Sequence, residues 1–161
     1  MDNSKIARNA MLLSISVVLA LIESFIPIFS AIPGIKLGLA NIVIVFSLYK
    51  LSFKDALYIS VLRVILVGIL RTGLFSITFF FSLVGSIFSV FSMYLVKNTN
   101  MSIVGVSVVG AIAHSIGQII VAIIFLSNIN IIYYLPILLI SSVITGIVIG
   151  LLSEKIIKYY D

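Results

Sequence analysis

A few ionisable and amide side chains interrupt long apolar runs in this sequence, and these are the groups that could do chemistry. Glu23 is the one carboxylate within an apolar run, because Asp2, Asp55, Glu154 and Asp161 fall in predicted loops or tails. A buried acid costs about 2.5–3.5 kcal/mol in the middle of a membrane span and usually faces a partner, the bundle interior or water. Glu23 is therefore a candidate binding residue, with a structural ion pair or hydrogen bond as the alternative.

Arg63 is the cation that lies deepest in an apolar run, in the stretch SVLRVIL. Its guanidinium stays charged and presents a planar fork of donors, which suits a carboxylate of the protein or a phosphate of a ligand. Pairing with Glu23 and contact with a ligand both remain open, because the sequence does not reveal how the helix is rotated.

The stretch GAIAHSIGQ places an imidazole and an amide on one helical face. Gly110, His114, Gly117 and Gln118 are spaced i, i+4, i+7 and i+8. The glycines allow a neighbouring backbone or a ligand to approach, and the two polar side chains offer hydrogen bonds beside that gap. The alternative is a polar contact that holds two membrane helices together. No metal site is predicted, because there is one histidine and no cysteine.

Three further candidates lie close to helix starts that are predicted on one side of the membrane, namely Lys36, Asn41 and Arg71. Helices 2, 4 and 6 are all predicted to begin there, with unpaired backbone amides and the positive ends of their dipoles. Lys36 and Arg71 come shortly before two of these starts. The sequence therefore predicts a site for an anionic group, with simple solvation of the two cations as the alternative.

The elements that must position these residues follow from composition. The 161 residues are 62% hydrophobic and 9% charged, with a mean hydropathy of +1.36, which is typical of an integral membrane protein. Since a transmembrane helix needs about 20 residues, the chain can hold about six spans. We expect an all-α, polytopic six-helix bundle forming one membrane domain over residues 1–161, with an irregular loop at 30–37 between helices 1 and 2. The predicted apolar segments are 9–29, 38–50, 56–70, 73–96, 102–126 and 132–153.

The cations predict the orientation of this bundle. If the N-terminus is cytoplasmic, seven cations lie inside, two lie outside and Arg63 lies within the membrane. This distribution obeys the positive-inside rule, so we expect a multi-pass protein of the cell membrane with both termini cytoplasmic. The cations are scattered singly and form no basic face, so no nucleic-acid partner is expected. The inner set is Lys5, Arg8, Lys50, Lys54, Lys97, Lys155 and Lys158, and the outer set is Lys36 and Arg71.

The motifs of several enzyme classes are missing from the sequence. There is no GxxxxGK[ST] phosphate loop, no cysteine nucleophile and no serine in a nucleophile elbow. We therefore expect no catalytic residues and no cofactor, and any nucleotide hydrolysis would occur on another chain. The GxxxG formed by Gly146 and Gly150 predicts close helix packing, within the bundle or against a partner subunit.

Several blocks resemble a known family. PGIKLGLAN follows ES and IP near residue 23, and LRV, FSLVGS, GAIAHSIGQ and YYLPILLISSVITG come later. Together they resemble the Gx transporter family, whose members are often labelled heptaprenyl diphosphate synthase component I. The resemblance runs from about Ala10 to Gly150, and the family looks related to the substrate-binding S components of energy-coupling-factor transporters. It implies a six-helix membrane protein that works with a transmembrane coupling subunit and ATPase subunits in trans.

The label heptaprenyl diphosphate synthase raises a second possibility. Enzymes of that class hold magnesium diphosphate with aspartate-rich motifs, as the resemblance would require, whereas this chain has three widely separated aspartates. The chain is therefore not expected to be the catalytic synthase. It could be an accessory membrane subunit that presents an isoprenoid or quinone precursor to an enzyme.

The sequence as a whole favours a membrane-embedded subunit that captures a small anionic or amphipathic solute from outside. The accessory role is one alternative, and a proton or ion pathway through Glu23, Arg63 and His114 is another. The predicted substrate-binding residues are Glu23, Lys36, Asn41, Arg63, Arg71, His114 and Gln118.

Overall fold

Six α-helices and two short helical turns make up the described part of the chain. The computed structural model describes residues 3–26 and 37–160, and no strand occurs among them. A π-helix, Gly68–Thr72, continues the third α-helix, and a 3-10 helix, Ile129–Tyr134, leads into the sixth. The α-helices are α1 (Asn3–Ser24), α2 (Ala40–Lys50), α3 (Phe53–Val67), α4 (Ile77–Lys97), α5 (Ile103–Leu126) and α6 (Leu135–Tyr160).

Helix length divides these elements into two groups. Four helical stretches are long and apolar enough to cross a membrane, namely α1, α4, α5 and the continuous stretch 129–160. Helix α2 has 11 residues and α3 has 15, so both are shorter than a full span. The helix count agrees with the prediction, and the long apolar helices are compatible with a multi-pass membrane protein.

Serine side chains set the starts of three helices. Ser52, Ser76 and Ser102 each have extended or near-extended backbone and accept a hydrogen bond from the amide three residues later, at 3.1–3.2 Å. Such a cap satisfies an amide that has no partner within its own helix. Apolar patterning alone therefore misplaced two boundaries: α3 begins before residue 56, and α4 begins after residue 73.

The helices run alternately up and down, so most of the cations collect at one end of the bundle. Lys97 Nζ donates to the Leu48 carbonyl oxygen at 2.6 Å, which places the end of α4 beside the end of α2. Lys50 Nζ lies 5.9 Å from the ring centroid of Tyr160 at the end of α6. We call this region the basic end. The cations on the helix ends that meet there are Lys5, Arg8, Lys50, Lys54, Lys97, Lys155 and Lys158.

The hydrophobic core lies toward the basic end, and every helix contributes to it. Short α2 is almost wholly enclosed there: Ile44 and Leu48 are at most 1% exposed. The two short helices, α2 and α3, thus pack against the four long ones through core side chains. The core residues are Leu12, Val43, Ile44, Val45, Leu48, Ala56, Ile59, Val90, Met93, Val106 and Ile157.

Glycines bring α6 into close contact with α5. A Cβ atom added to Gly146 would lie 2.8 Å from Val108 Cα, and one added to Gly150 would lie 2.6 Å from Val104 Cα. Both distances are below any normal contact, so the two backbones touch at the glycines. The GxxxG in α6 therefore packs within this chain, which is one of the two alternatives that the sequence left open.

Candidate functional site

A cavity of about 380 Å³ lies between the helices, and all six α-helices contribute to its lining. It opens at the end of the bundle opposite the basic end, where the lining residues Ser24, Arg71 and Thr78 are exposed. Lys36, the remaining member of the predicted site, lies outside the described residues. The six other predicted site residues all line this one cavity: Glu23, Asn41, Arg63, Arg71, His114 and Gln118.

Glu23 binds the backbone that leads into α2. Its two carboxylate oxygens accept hydrogen bonds from the amides of Gly38, at 2.7 Å, and Leu39, at 2.9 Å. Gly38 has a φ of +81°, a conformation that side chains other than glycine rarely adopt. The carboxylate thus caps the start of α2, where the helix dipole favours negative charge. The prediction that this start presents unpaired amides to a ligand is wrong for these two amides, because Glu23 occupies them.

A serine similarly occupies an amide at the start of α4. The Phe79 amide donates to Ser76 Oγ at 3.2 Å, so it is not open to an anion. The amides of Gly38, Leu39 and Phe79 are therefore not available to an anion. The cationic side chains in the cavity are the remaining candidates.

Arg63 is buried in the cavity, with 8% of its surface exposed. Its Nη1 donates to Asn41 Oδ1 at 3.1 Å, which joins α3 to the first turn of α2. Arg63 and Glu23 are both described, and they do not form a direct ion pair. The direct ion pair that the sequence left open is therefore absent. Each of the two side chains hydrogen-bonds to a neutral amide group.

The other described carboxylates are also occupied. Asp55 Oδ1 lies 3.1 Å from Lys5 Nζ, and Glu154 Oε1 lies 2.7 Å from Lys158 Nζ, both at the basic end. Within residues 3–26 and 37–160, no carboxylate forms an ion pair with Arg63. The charge of Glu23 acts on Arg63 from a distance, but a buried guanidinium without an anion in direct contact is costly, which makes this side chain the strongest ligand candidate in the cavity.

His114 and Gln118 reach the cavity from one face of α5, as their spacing predicted. The His114 ring packs over Gly85 of α4, where an added Cβ would come within 2.9 Å of the ring. Gly117 meets the backbone of the same Gly85, so the glycines serve the helix crossing. Gln118 is 4% exposed, and its buried Oε1 has no hydrogen-bond partner among the described residues.

Arg71 lies at the mouth of the cavity, in the π-helix that follows α3. Its Nη2 donates to the Ser24 carbonyl oxygen at 3.2 Å, and its Cζ lies 4.2 Å from the ring centroid of Phe25. Both contacts are to the end of α1, so Arg71 joins two helix ends across the opening. A cation over an aromatic face is a favourable contact, and it holds the guanidinium beside the entrance.

The hydroxyl groups of the cavity were missed by the sequence analysis. On α5 the lining residues Ser107, Ala111, His114, Ser115 and Gln118 follow helical spacing, so the hydroxyls share a face with the predicted residues. That shared spacing was the signal that could have found them. The hydroxyl-bearing lining residues are Ser24, Thr72, Thr78, Ser82, Ser89, Ser107, Ser115, Ser141, Ser142 and Thr145.

Apolar side chains complete the wall of the cavity. Four different helices contribute apolar residues to the same space, namely Val45, Val67, Phe79, Met93 and Ile149. Among the described residues, no three histidine, cysteine, aspartate or glutamate side chains lie close enough together to hold a metal ion. The cavity therefore combines buried cationic, amide and hydroxyl groups with apolar surface, an arrangement suited to a small amphipathic ligand.

These features define a class of protein: an all-helical chain with long apolar helices and an internal cavity lined by polar groups. The sequence matches the family model described as heptaprenyl diphosphate synthase component I over residues 12–156. The chain therefore belongs to the heptaprenyl diphosphate synthase component I family, as its motifs indicated. No curated protein and no solved structure matches the chain.

Proposed function

We propose that this chain is a membrane-embedded binding subunit of a transporter, similar to an S component, and that it captures a small anionic or amphipathic solute in the cavity. The observation that carries the proposal is Arg63, a buried cation that lines the cavity without a carboxylate partner among the described residues. An anionic group of a ligand would supply the missing charge through paired hydrogen bonds.

The size and lining of the cavity support a small solute. Its volume of about 380 Å³ lies at the lower end of the range of about 300–1,000 Å³ that is typical of ligand pockets. Glu23 offsets part of the positive potential at Arg63, because its carboxylate lies near enough to act on the guanidinium. Its two oxygens hydrogen-bond to backbone amides, so the donors of Arg63 are not taken up by it. Arg71 adds a second positive charge at the entrance, where it would attract an anion before binding.

The charge distribution supports capture from outside the cell. Seven cations lie on the helix ends at the basic end, while the described mouth of the cavity carries Arg71. By the positive-inside rule, the basic end faces the cytoplasm together with both termini. The cavity then opens outward, and a coupling subunit with ATPase subunits in trans would supply the energy for transport.

The proposal is tested by the protein in lipid nanodiscs and one pair of variants. Arg63→Met removes the buried cation, and Arg8→Met removes an exposed cation on α1 by the same chemical change. Native mass spectrometry of protein extracted from its host membrane is expected to detect a retained small anion with the wild type and with Arg8→Met. Arg63→Met is expected to retain at least ~100-fold less, since two charge-assisted hydrogen bonds contribute about 1.5–3 kcal/mol each. Equal retention by both variants would refute the proposal.

The family description favours a second candidate function. It names a component of heptaprenyl diphosphate synthase, which would suit an accessory membrane subunit that holds an isoprenoid diphosphate for an enzyme. Co-purification separates the two roles: association with an ATPase module supports transport, and association with a soluble prenyl synthase supports the accessory role.

A further inference from the structure

A groove lies between α1 and α3 on the outside of the bundle, and it shares no lining residue with the central cavity. Its volume is about 440 Å³. Side chains along it are accessible: Ile6 is 45% exposed and Tyr58 is 59% exposed, and Ala10 and Lys54 are exposed as well. The groove is therefore open surface that the packed core does not fill. We call it the α1–α3 groove.

The α1–α3 groove changes from charged to apolar along its length. Both helices begin at the basic end, where Lys5 Nζ lies 3.1 Å from Asp55 Oδ1 near the starts of α1 and α3. Leu13 follows Lys5 by eight residues on α1. Leu62 follows Lys54 by the same number on α3, and all of these side chains line the groove. At a rise of about 1.5 Å per residue, the leucines lie about 12 Å from the lysines along each helix.

The charged end of the groove has one cation in excess. Asp55 is occupied, because it pairs with Lys5 and accepts hydrogen bonds from Asn9, at 2.8 Å, and from Ser52, at 2.6 Å. Among the described residues, no carboxylate forms an ion pair with Lys54. Since the charges of Lys5 and Asp55 cancel, the lining has a net charge of +1. The starts of α1 and α3 add the positive ends of two helix dipoles, so this end favours a group with a single negative charge.

We propose that the α1–α3 groove binds one anionic phospholipid, with its phosphate at Lys54 and one acyl chain along the groove toward Leu13 and Leu62. A phosphodiester headgroup carries the single negative charge that this end favours. The Tyr58 hydroxyl, one helical turn from Lys54, offers a hydrogen-bond donor beside it. The site goes beyond the proposed function, because it uses neither the cavity nor Arg63, and the two share only the position of the chain in a membrane.

The dimensions of a bilayer fit this arrangement. Each headgroup layer is about 5–8 Å thick, which is half the difference between a total of about 40–45 Å and a hydrocarbon core of about 30 Å. With the lysines at the level of the phosphates, groups about 12 Å deeper lie in the hydrocarbon, where an acyl chain runs. By the positive-inside rule the basic end faces the cytoplasm, and basic pockets between membrane helices on that side bind anionic headgroups. A free phosphate ion would leave the apolar end of the groove unused, which favours a lipid as the source of the phosphate.

A single tryptophan in the groove tests the proposal, because the wild-type chain contains none. Tyr58→Trp places the fluorophore in the groove, and Phe91→Trp places one outside it, at a position of α4 that is 54% exposed. Both variants are reconstituted into phosphatidylcholine bilayers with a minor fraction of lipid whose brominated acyl chains quench a tryptophan that they contact. Half-quenching of Tyr58→Trp is expected to need about fivefold less brominated phosphatidylglycerol than brominated phosphatidylcholine. Phe91→Trp is expected to be quenched equally by the two lipids.

A pair of lysine variants, made in the Tyr58→Trp chain, assigns this preference to the groove. Lys54→Gln removes the unpaired cation and is expected to abolish the preference for phosphatidylglycerol. Lys155→Gln removes an exposed cation of α6 at the same end of the bundle but outside the groove, and it is expected to leave the preference unchanged. An equal loss in both variants would reveal a general attraction of the basic end for anionic lipid and would overturn the site.

A second pair of variants tests the groove beyond its charged end. Ala10→Leu fills part of the groove and is expected to reduce the preference for phosphatidylglycerol. Ala7→Leu makes the same change at an exposed position of α1 outside the groove and is expected to have no effect. Inorganic phosphate in the buffer is expected not to displace the lipid, which is held at both ends. Displacement by phosphate, with no effect of Ala10→Leu, would assign the groove to the free ion instead.

The outcomes separate this site from the proposed function. Equal quenching of Tyr58→Trp by the two brominated lipids would refute the lipid site. The same result together with loss of a co-purified protein in Lys54→Gln would assign the groove to a protein contact. Arg63→Met, made in the Tyr58→Trp chain, is expected to keep the lipid preference and to lose the retained small anion, so either proposal can fail while the other stands.

Discussion

Charged side chains have different kinds of partner at the basic end and in the cavity. At the basic end, Asp55 pairs with Lys5 and Glu154 pairs with Lys158, so acids and cations are in direct contact. In the cavity, Glu23 binds backbone amides and Arg63 binds an amide oxygen, although both charges lie in the same space. The first arrangement pairs opposite charges directly, and the second leaves a buried cation without a carboxylate in direct contact among the described residues.

This difference separates stability from binding. The basic end is packed around a hydrophobic core to which all six helices contribute, so its polar contacts need only hold helix ends together. The cavity is a space that core side chains do not fill, and polar groups line it. We therefore expect changes to these contacts at the basic end to affect folding alone, and changes in the cavity to affect binding as well.

The largest stability effect is expected at the carboxylate that caps α2. Glu23→Gln removes the charge from two hydrogen bonds and keeps only one acceptor oxygen, so unfolding in detergent is expected to become about 2–4 kcal/mol easier. Glu154→Gln makes the same change at a half-exposed helix pair and is expected to cost no more than ~0.5 kcal/mol. Equal losses of thermal stability in the two variants would erase the contrast between the two ends.

A glycine contact between helices gives the next largest effect. Gly150→Ala places a methyl group 2.6 Å from Val104 Cα, and the backbones must separate to accommodate it, at about 1–3 kcal/mol. Gly105→Ala has no neighbour closer than 3.5 Å and is expected to gain up to ~1 kcal/mol through helix propensity. Thermal denaturation in detergent measures both; a neutral Gly150→Ala would contradict the close packing of α5 and α6.

At the basic end, the Asp55 cluster predicts a pH dependence. Burial by itself raises the pKa of Asp55, which precedes the predicted apolar segment 56–70, but hydrogen bonds from Ser52 and Asn9 and the charge of Lys5 outweigh it and lower the pKa below 3.8. A lowered pKa in the folded state adds stability above about pH 4 that is lost as the pH falls through the folded value. Thermal scans at pH 3 and pH 6 are expected to show this loss in the wild type, and a smaller one in Asp55→Asn. The same loss in both would assign it to other groups.

The smallest stability effect is expected at the mouth. Arg71→Gln removes a cation from the Phe25 ring, an exposed contact that contributes less than ~1 kcal/mol. Stopped-flow binding of inorganic phosphate is expected to slow about threefold to tenfold, with a weaker dependence on salt, because the entrance loses its charge. An unchanged association rate would confine Arg71 to joining α1 and the π-helix.

Much of the fold was predictable because the apolar runs are long. Helices α4 and α5 lie within a few residues of their predicted segments, since a run of more than 20 apolar residues leaves one structural solution in a membrane. The segments 38–50 and 56–70 were predicted to be shorter than full spans, and α2 and α3 are short. Helix starts were less predictable, because a single serine hydroxyl moves them by several residues.

Part of the cavity lining could be predicted from residue type, but its contacts could not. Intramembrane charges and amides are rare, so Glu23, Arg63 and Gln118 could be chosen by type, and they line one cavity. Their partners depend on helix rotation, which composition does not encode; hence the pairing of Glu23 with Arg63 stayed open until the structure showed Gly38, Leu39 and Asn41 as partners. The serines of the lining were passed over because serine is common in membrane helices.

The π-helix at Gly68–Thr72 has a further consequence for the entrance. A π-turn is equivalent to one extra residue in an α-helix, and each residue turns the helix by about 100°. Deleting Thr72, which follows Arg71, would restore regular α-winding, and the tighter turn would rotate the Arg71 side chain away from Phe25 and the Ser24 carbonyl oxygen. Relatives that differ by one residue at this turn would thus have a differently charged entrance on the same helical frame.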